Sequence, residues 1–135
     1  MAEPIVIRVE YDIQRISPNT RLNPHERRRR ETCVRNQVIA RYHELGDPWL
    51  EPVVDLRVHV ARAKKLDNDN VVIAIKRIRD CICCRKKFGY GIVEDDSPDF
   101  FGQTLVTQDA SKDHKGKEFF ELHFTSRNRD GQNGT

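Results

Sequence analysis

The sequence of 135 residues contains no long apolar run, and we expect no secretory leader. No stretch approaches the roughly 20 apolar residues that a membrane-spanning helix needs. Residues 1–4 start acidic and lead straight into a strand pattern, which is not how a signal peptide begins. We therefore expect a cytoplasmic protein that has no contact with a membrane.

Cysteine is scarce as well, with four in the chain. Cys81, Cys83 and Cys84 are too close together to form a sensible set of disulfides with Cys33, which indicates a reducing compartment. Their spacing lacks the Cys-x-x-Cys pattern of a zinc knuckle. We expect Cys81 or Cys84 to pack at a helix end, and zinc or iron–sulfur binding stays open as an alternative.

Aromatic residues make up only 7% of the chain, whereas charged residues reach 33% and apolar residues 37%. This composition predicts a modest, mostly aliphatic core and argues against obligate disorder. The length suits one domain. We place that domain at residues 1–126 and expect a flexible polar tail at residues 127–135.

Hydrophobic periodicity predicts alternating strands and helices. The predicted order is a strand at 4–12, a helix at about 24–45, a strand from Val54 to Val60, a second helix, a short strand at 104–107 and a last strand at 120–124. The apolar stripe of the second helix is predicted to be Val71, Val72, Ile75, Ile78 and Ile82. This order predicts an α+β (mixed α/β) fold, with two main helices on a small mixed β-sheet.

Basic residues are clustered, although the net charge is only +3. Four arginines occupy residues 27–30, Lys64 and Lys65 precede an acidic motif, and residues 85–87 form a third cluster. Basic clusters around an acidic site suit a protein that approaches a polyanion. The alternative for each cluster alone is a solvated surface.

The acidic motif Asp67-Asn68-Asp69-Asn70 lies where the second strand gives way to the second helix. Residues two apart in an extended segment point to the same side, so Asp67 and Asp69 repel each other unless a cation lies between them. Asn70 is well suited to cap the helix. Taken alone, the motif has an alternative interpretation as turn and cap chemistry.

Two further features favour a metal site. Lys76 and Asp80 share a helical face with Asp69, and Asp95 and Asp96 lie in an acidic loop after the helix. If the loop folds back, Asp95 or Asp96 would complete a set of oxygen ligands for Mg²⁺, or Mn²⁺, which would activate water at a phosphodiester. An EF-hand is excluded, because Val71 occupies its fifth position and no glycine follows.

The motif Leu66-Asp67-Asn68-Asp69-Asn70, followed by Lys76, Arg79-Asp80 and Glu94-Asp95-Asp96, resembles the RusA-type Holliday-junction endonucleases. The resemblance implies a mixed α/β homodimer that cleaves four-way DNA junctions with Mg²⁺. It also implies that Asp67, Asp69 and Asp96 are the essential carboxylates and that Lys76 is the essential lysine. The stretch at 81–90 departs from the family, being longer and more basic.

The first hypothesis is thus a metal-dependent nuclease that acts on branched DNA. We expect basic and polar side chains to bind that DNA. The expected DNA contacts are Asn19, Arg21, Arg27, Arg28, Arg30, Lys65, Asn70, Arg85, Lys86 and Lys87. Two rival hypotheses remain open: a non-catalytic nucleic-acid-binding protein on the same fold, and a zinc-dependent regulator that uses the cysteines.

Overall fold

The computed structural model describes residues 4–17, 23–48, 50, 53–83, 90–94 and 96–126. The elements in these ranges are β1 (Ile5–Val9), α1 (Pro24–Glu44), β2 (Val54–Arg62), α2 (Asn68–Ile82), β3 (Phe101–Ala110) and β4 (Phe119–Ser126). Short 3-10 helices occupy Ile13–Ile16 and Lys112–His114. The predicted α+β fold with two main helices on a small mixed sheet is confirmed. The expected tail at 127–135 lies outside the described residues.

The four strands form one sheet in the order β1-β4-β2-β3. β4 is antiparallel to both β1 and β2, whereas β3 is parallel to β2. Parallel neighbours need a long crossover, and α2 lies in the connection between them. Val54 pairs with Phe101 at one end and Arg62 with Ala110 at the other. The carboxyl ends of β2 and β3 therefore share one edge of the sheet, where α2 begins.

The core lies between the two helices and one face of the sheet. Alternate residues of the strands are buried, as in β4, where Phe120, Leu122 and Phe124 are fully buried. The helices contribute residues such as Val38 and Ile78 to the same cluster. Burial of apolar side chains stabilises this arrangement by about 25 cal/mol for each Å² removed from water.

Local sequence sets both ends of α1. The Asn23 side chain accepts a hydrogen bond from the Glu26 backbone N–H at 2.8 Å, and Pro24 occupies the first turn. Both residue types favour a helix start. The chain leaves the helix through Gly46, whose φ of 85° is a conformation that glycine tolerates well.

The predicted apolar stripe of α2 is wrong at Val72, which is 67% exposed. The helix packs on the sheet along the face that carries Ala74, Ile78 and Cys81, all fully buried. Val72 lies instead between Asp69 and Lys76 on the opposite face, because helical neighbours are three or four residues apart. The outer face of α2 is therefore exposed along its length.

Two elements differ from the sequence expectation. β3 runs for ten residues, from Phe101 to Ala110, rather than the four predicted. The 3-10 helix at Ile13–Ile16 was not predicted, and it buries Ile13 and Ile16 against the core. Within the described part of the chain, no helix has the length and apolar character needed to cross a membrane.

Candidate metal centre

The segment that joins β2 to α2 is held in place from two sides. On one side, the Arg62 guanidinium donates to Asp12 Oδ1 at 2.8 Å and to the Lys64 carbonyl oxygen at 2.6 Å. Charge-assisted bonds of this kind are roughly twice as strong as neutral ones. Arg62 thus fixes the end of β2 to the turn that leads toward the acidic motif.

On the other side, Gln108 of β3 binds the backbone of Leu66 in both directions. Its Oε1 accepts from the Leu66 N–H at 2.7 Å, and its Nε2 donates to the Leu66 carbonyl oxygen at 3.1 Å. Leu66 itself is 3% exposed and belongs to the core. The residue directly before Asp67 is therefore anchored by its side chain and by its backbone.

Asp67 occupies the N-cap position of α2, with φ −64° and ψ 150°. Its carbonyl oxygen accepts from the Val71 N–H at 2.9 Å, which begins the helix. Aspartate is a favoured N-cap, because its carboxylate can accept from a backbone N–H of the first turn. The exposed Asp67 carboxylate makes no such bond with α2. The backbone places Asp67 at the helix start, but its carboxylate does not cap the helix.

Asp69, Lys76 and Asp80 are all exposed and lie along one face of α2, as their spacing predicts. Asp69 is in the first turn, where the positive end of the helix dipole favours a carboxylate. Lys76 follows about 10 Å farther along the helix axis, at 1.5 Å per residue. One face of the helix thus presents a carboxylate, then an ammonium, to solvent.

The expected cap at Asn70 is wrong. The N-cap is Asp67, three residues earlier, so Asn70 lies inside the first turn with its side chain turned inward, at 4% exposure. Arg77 lies on the same side of α2 as Asn70 and donates to the Ile16 carbonyl oxygen at 2.8 Å. A side chain so buried offers DNA no surface, and the predicted DNA contact of Asn70 is not supported by this placement.

Asp96 has a partner of its own. Arg79 donates to the Asp96 carboxylate through Nε at 2.8 Å and again through Nη2. The same guanidinium donates to Thr104 Oγ1 at 2.9 Å and lies 3.9 Å from the centre of the Phe101 ring. Asp96 is thereby fixed to the later part of α2 and to the start of β3.

The structure therefore does not bring Asp96 to the acidic motif. Asp69 and Arg79 are ten positions apart in α2, about 15 Å along the helix axis. Asp67 and Asp69 lie at the carboxyl edge of the parallel strands, whereas Asp96 precedes β3 at their amino edge. Among the described residues, which leave out Asp95, no three His, Cys, Asp or Glu side chains form a group that could hold a metal. Held by Arg79, Asp96 is not placed to complete a ligand set with Asp67 and Asp69.

The donor set at the carboxyl edge nevertheless fits Mg²⁺ chemically. Asp67 and Asp69 are exposed carboxylates, which are the hard oxygen donors that this cation prefers. Mg²⁺ commonly keeps several waters and is bound by one or two carboxylates together with substrate phosphates. A pair of carboxylates with open solvent before it satisfies that pattern without a third protein ligand.

Most of the arginine block is engaged by carboxylates of its own helix. Arg29 and Arg30 both donate to Glu26 Oε1, at 2.9 and 3.3 Å, and Arg30 also donates to the Arg15 carbonyl oxygen at 3.1 Å. Arg28 lies 3.6 Å from Glu31. Arg30 is only 19% exposed in its side chain, so it stabilises the fold more than it faces a ligand.

Arg27 and Lys65 are the predicted DNA contacts that the structure leaves exposed without an ion pair to a described residue. Lys65 also lines a shallow cavity of about 260 Å³ with Asn68, Val71, Val106 and Gln108. This cavity flanks the start of α2. The expected contacts Asn19, Arg21, Arg85, Lys86 and Lys87 lie outside the described residues.

The described cysteines are separated or buried. Cys33 is exposed on α1, while Cys81 and Cys83 are buried at the end of α2. Burial, reinforced by the charge of Glu31, raises the pKa of the Cys81 thiol to about 12. Its Sγ donates to the Glu31 carbonyl oxygen at 3.6 Å. Packing of Cys81 at the helix end is confirmed.

Two residues that position this region were not anticipated. Gln108 is 42 positions from Leu66 in sequence, and nothing in a strand pattern reveals that its amide faces a neighbouring loop. The pairing of Arg79 with Asp96 spans 17 positions and leaves α2, so helical spacing does not predict it.

Comparison with protein-family models, with curated proteins and with solved structures finds no match to this chain. The resemblance to RusA-type endonucleases therefore stays a prediction drawn from the motif.

Proposed function

We propose that this chain is a Mg²⁺-dependent endonuclease that acts on branched DNA, with the four-way junction as its expected substrate. The observation that carries the proposal is the Asp67 carboxylate. It stands at the N-cap of α2 yet makes no capping hydrogen bond with the helix. This observation argues against the interpretation of the motif as cap chemistry. It favours a role of the Asp67 carboxylate as a metal ligand.

Asp67 and Asp69 would hold the metal, since both are exposed at the same helix start. A bound Mg²⁺ supplies an activated water and a positive charge at the phosphodiester. The chain contributes rigidity. Because Leu66 is bound by Gln108 and the Asp67 carbonyl oxygen is bound by Val71, the backbone of Asp67 is ordered before the reaction and only its side chain has to be oriented.

Lys76 would act on the phosphate. Its ammonium is exposed on the face of α2 that also carries Asp69, and a lysine serves as a mobile point charge with three donors. Placed beside a phosphoryl oxygen, it stabilises the negative charge that develops in the transition state. This assignment agrees with the role that the resemblance implies for Lys76.

Lys65 and Arg27 would contribute phosphate contacts along the DNA arms. Such contacts hold the duplex in register without reading its sequence. Lys65 is two residues before Asp67, so a phosphate that it binds lies close to the carboxylates of Asp67 and Asp69. A homodimer, which the resemblance implies, would present two such sites related by a two-fold axis and would nick opposing strands of a junction.

The experiment that tests the proposal is cleavage of a labelled four-way junction by the purified chain, with Mg²⁺ or with EDTA. We expect paired nicks in the presence of Mg²⁺, no nicks in EDTA, and little cleavage of a linear duplex of the same sequence. Binding of the junction without cleavage at any Mg²⁺ or Mn²⁺ concentration would contradict the proposal.

A second candidate is a non-catalytic nucleic-acid-binding protein on the same fold. One observation favours it, namely that Asp96 is bound by Arg79 and leaves two carboxylates at the helix start. Calorimetric titration with Mg²⁺ and Mn²⁺ separates the candidates. Heat that disappears in both Asp67→Asn and Asp69→Asn supports the nuclease, whereas the absence of carboxylate-dependent heat supports the scaffold.

A further inference from the structure

We propose that Gln108 is the positioning residue of the metal-binding segment, an inference that rests on the proposed function of Asp67 and Asp69. Gln108 lies in β3, in register with Val60 of β2. It contacts neither the expected metal nor the DNA in this assignment. It acts through the backbone of Leu66, the residue before Asp67.

The two hydrogen bonds of the Gln108 amide replace a missing strand neighbour. β2 ends at Arg62, so Leu66 has left the ladder that pairs β2 with β3. An extended residue presents its N–H and its carbonyl oxygen to the same side, and the Gln108 carboxamide meets both, at 2.7 and 3.1 Å. The loop is thereby attached to β3 as if it were one further residue of the sheet.

This attachment fixes the backbone on the N-terminal side of Asp67. The peptide that joins Leu66 to Asp67 is planar, so holding the Leu66 carbonyl oxygen sets the orientation of the whole peptide unit. On the C-terminal side, the Asp67 carbonyl oxygen accepts from Val71 at 2.9 Å. With both flanking peptides held, only side-chain rotation remains free at Asp67.

A purely structural role for Gln108 would affect the stability of the fold but not the metal affinity of the folded chain. Leu66 is 3% exposed, and buried backbone groups need partners, so losing the amide costs stability in either case. A positioning role requires in addition that metal affinity falls in protein that is still folded. Partners that orient a metal ligand typically change metal affinity about 10- to 100-fold when they are removed.

The same strand offers a matched control. Gln103 is exposed and lies five residues before Gln108, so its side chain points to the opposite face of the sheet. Gln108→Met and Gln103→Met each remove one carboxamide from β3 and keep an unbranched side chain of similar length.

The test measures Mn²⁺ affinity by electron paramagnetic resonance in the wild-type chain and both variants at a temperature where thermal unfolding shows all three folded. We expect Gln108→Met to bind Mn²⁺ at least about tenfold more weakly than the wild type, and Gln103→Met to match the wild type. The Mg²⁺ concentration for half-maximal junction cleavage should rise by a similar factor in Gln108→Met, with a smaller change in the rate at saturating Mg²⁺.

Wild-type Mn²⁺ affinity in a folded Gln108→Met variant would overturn the inference while leaving the proposed function intact. Absence of Mn²⁺ binding by the wild-type chain would overturn both. Should Gln108→Met fail to fold, amide hydrogen exchange in the wild-type chain tests the attachment on which the inference depends. Protection of the Leu66 N–H comparable to that of the β2 amides supports the attachment, and exchange at the rate of an open loop overturns it.

Discussion

Arg79 donates a hydrogen bond from Nε to the Asp96 carboxylate at 2.8 Å, and from Nη1 to Thr104 Oγ1 at 2.9 Å. This relationship ties the acidic loop to the later half of α2. It separates two parts of the predicted site, because Asp67 and Asp69 lie at the other end of that helix. The metal chemistry proposed for this chain therefore depends on the carboxylate pair at the helix start.

Replacing Asp96 by Asn tests this separation. We expect Mn²⁺ affinity to stay within about threefold of the wild type, far from the loss expected for a metal ligand or its orienting partner. The unfolding free energy should fall by about 0.5 kcal/mol, because the ion pair is half exposed on the Asp96 side. Calorimetry and urea unfolding measure the two effects. Loss of Mn²⁺ binding equal to that in Asp69→Asn would show instead that Asp96 is a ligand.

Lys76 should act on the rate and leave metal binding unchanged. Lys76→Met removes the exposed charge on the face shared with Asp69, and we expect junction cleavage at saturating Mg²⁺ to slow by about 100-fold. Mn²⁺ affinity should not change. Lys112→Met, at an exposed position in the second 3-10 helix, is the matched control. Equal rates for the Lys76 and Lys112 variants would remove Lys76 from the proposed machinery.

Arg27 and Lys65 should each contribute to the salt dependence of DNA binding. We expect Arg27→Ala and Lys65→Ala each to lower the slope of log affinity against log salt by about 0.9, the value for one phosphate contact on duplex DNA. Fluorescence anisotropy at several salt concentrations measures it. Arg41→Ala, near the far end of α1 and paired with Glu44, is the control. An unchanged slope in all three variants would place the DNA elsewhere on the molecule.

Cys81 should resist thiol reagents. With a pKa of about 12, its thiol is protonated at pH 8 and buried. Alkylation followed by mass spectrometry should modify Cys33 in the folded chain and Cys81 only after unfolding. Rapid modification of Cys81 in the folded chain would contradict this placement.

The raised pKa of the Cys81 thiol predicts that the free energy of unfolding depends on pH. Unfolding returns the Cys81 pKa from about 12 to its ordinary value of 9.0. Between these values the unfolded chain loses the proton first, so stability falls as the pH rises, by about 1.4 kcal/mol per pH unit. The contribution is complete below pH 9. Urea unfolding at pH 8 and pH 10, compared with Cys81→Ala, isolates it, since the variant lacks this slope.

The fold followed from hydrophobic periodicity, but its details depended on packing. α1 and β2 were placed to within a residue or two, because buried residues such as Val38 and Val58 recur at the helical and strand spacing. Val72 was misassigned, since a helical wheel does not show which side meets the sheet. β3 was underestimated because polar residues flank the predicted stretch of this edge strand, with Gln103 before it and Gln108 after it.

The candidate site could be predicted in part for a similar reason. The spacing of Asp69 and Lys76 is local, so helix geometry alone places them on one face of α2. Asp67 is only two residues before Asp69, so it lies near the same helix start. The position of Asp96 depends on the path of residues 83–96, and the role of Gln108 depends on a contact across 42 positions. Sequence spacing carries no information about either.

The most direct test of the proposed nuclease is Mg²⁺-dependent cleavage of a four-way junction by Asp69→Asn, beside the wild type and the exposed control Asp113→Asn. We predict that Asp69→Asn makes no detectable nicks while its affinity for the junction is kept or strengthened, because a negative charge near the phosphates is removed. Asp113→Asn should cleave like the wild type. Cleavage by Asp69→Asn at the wild-type rate would contradict the account.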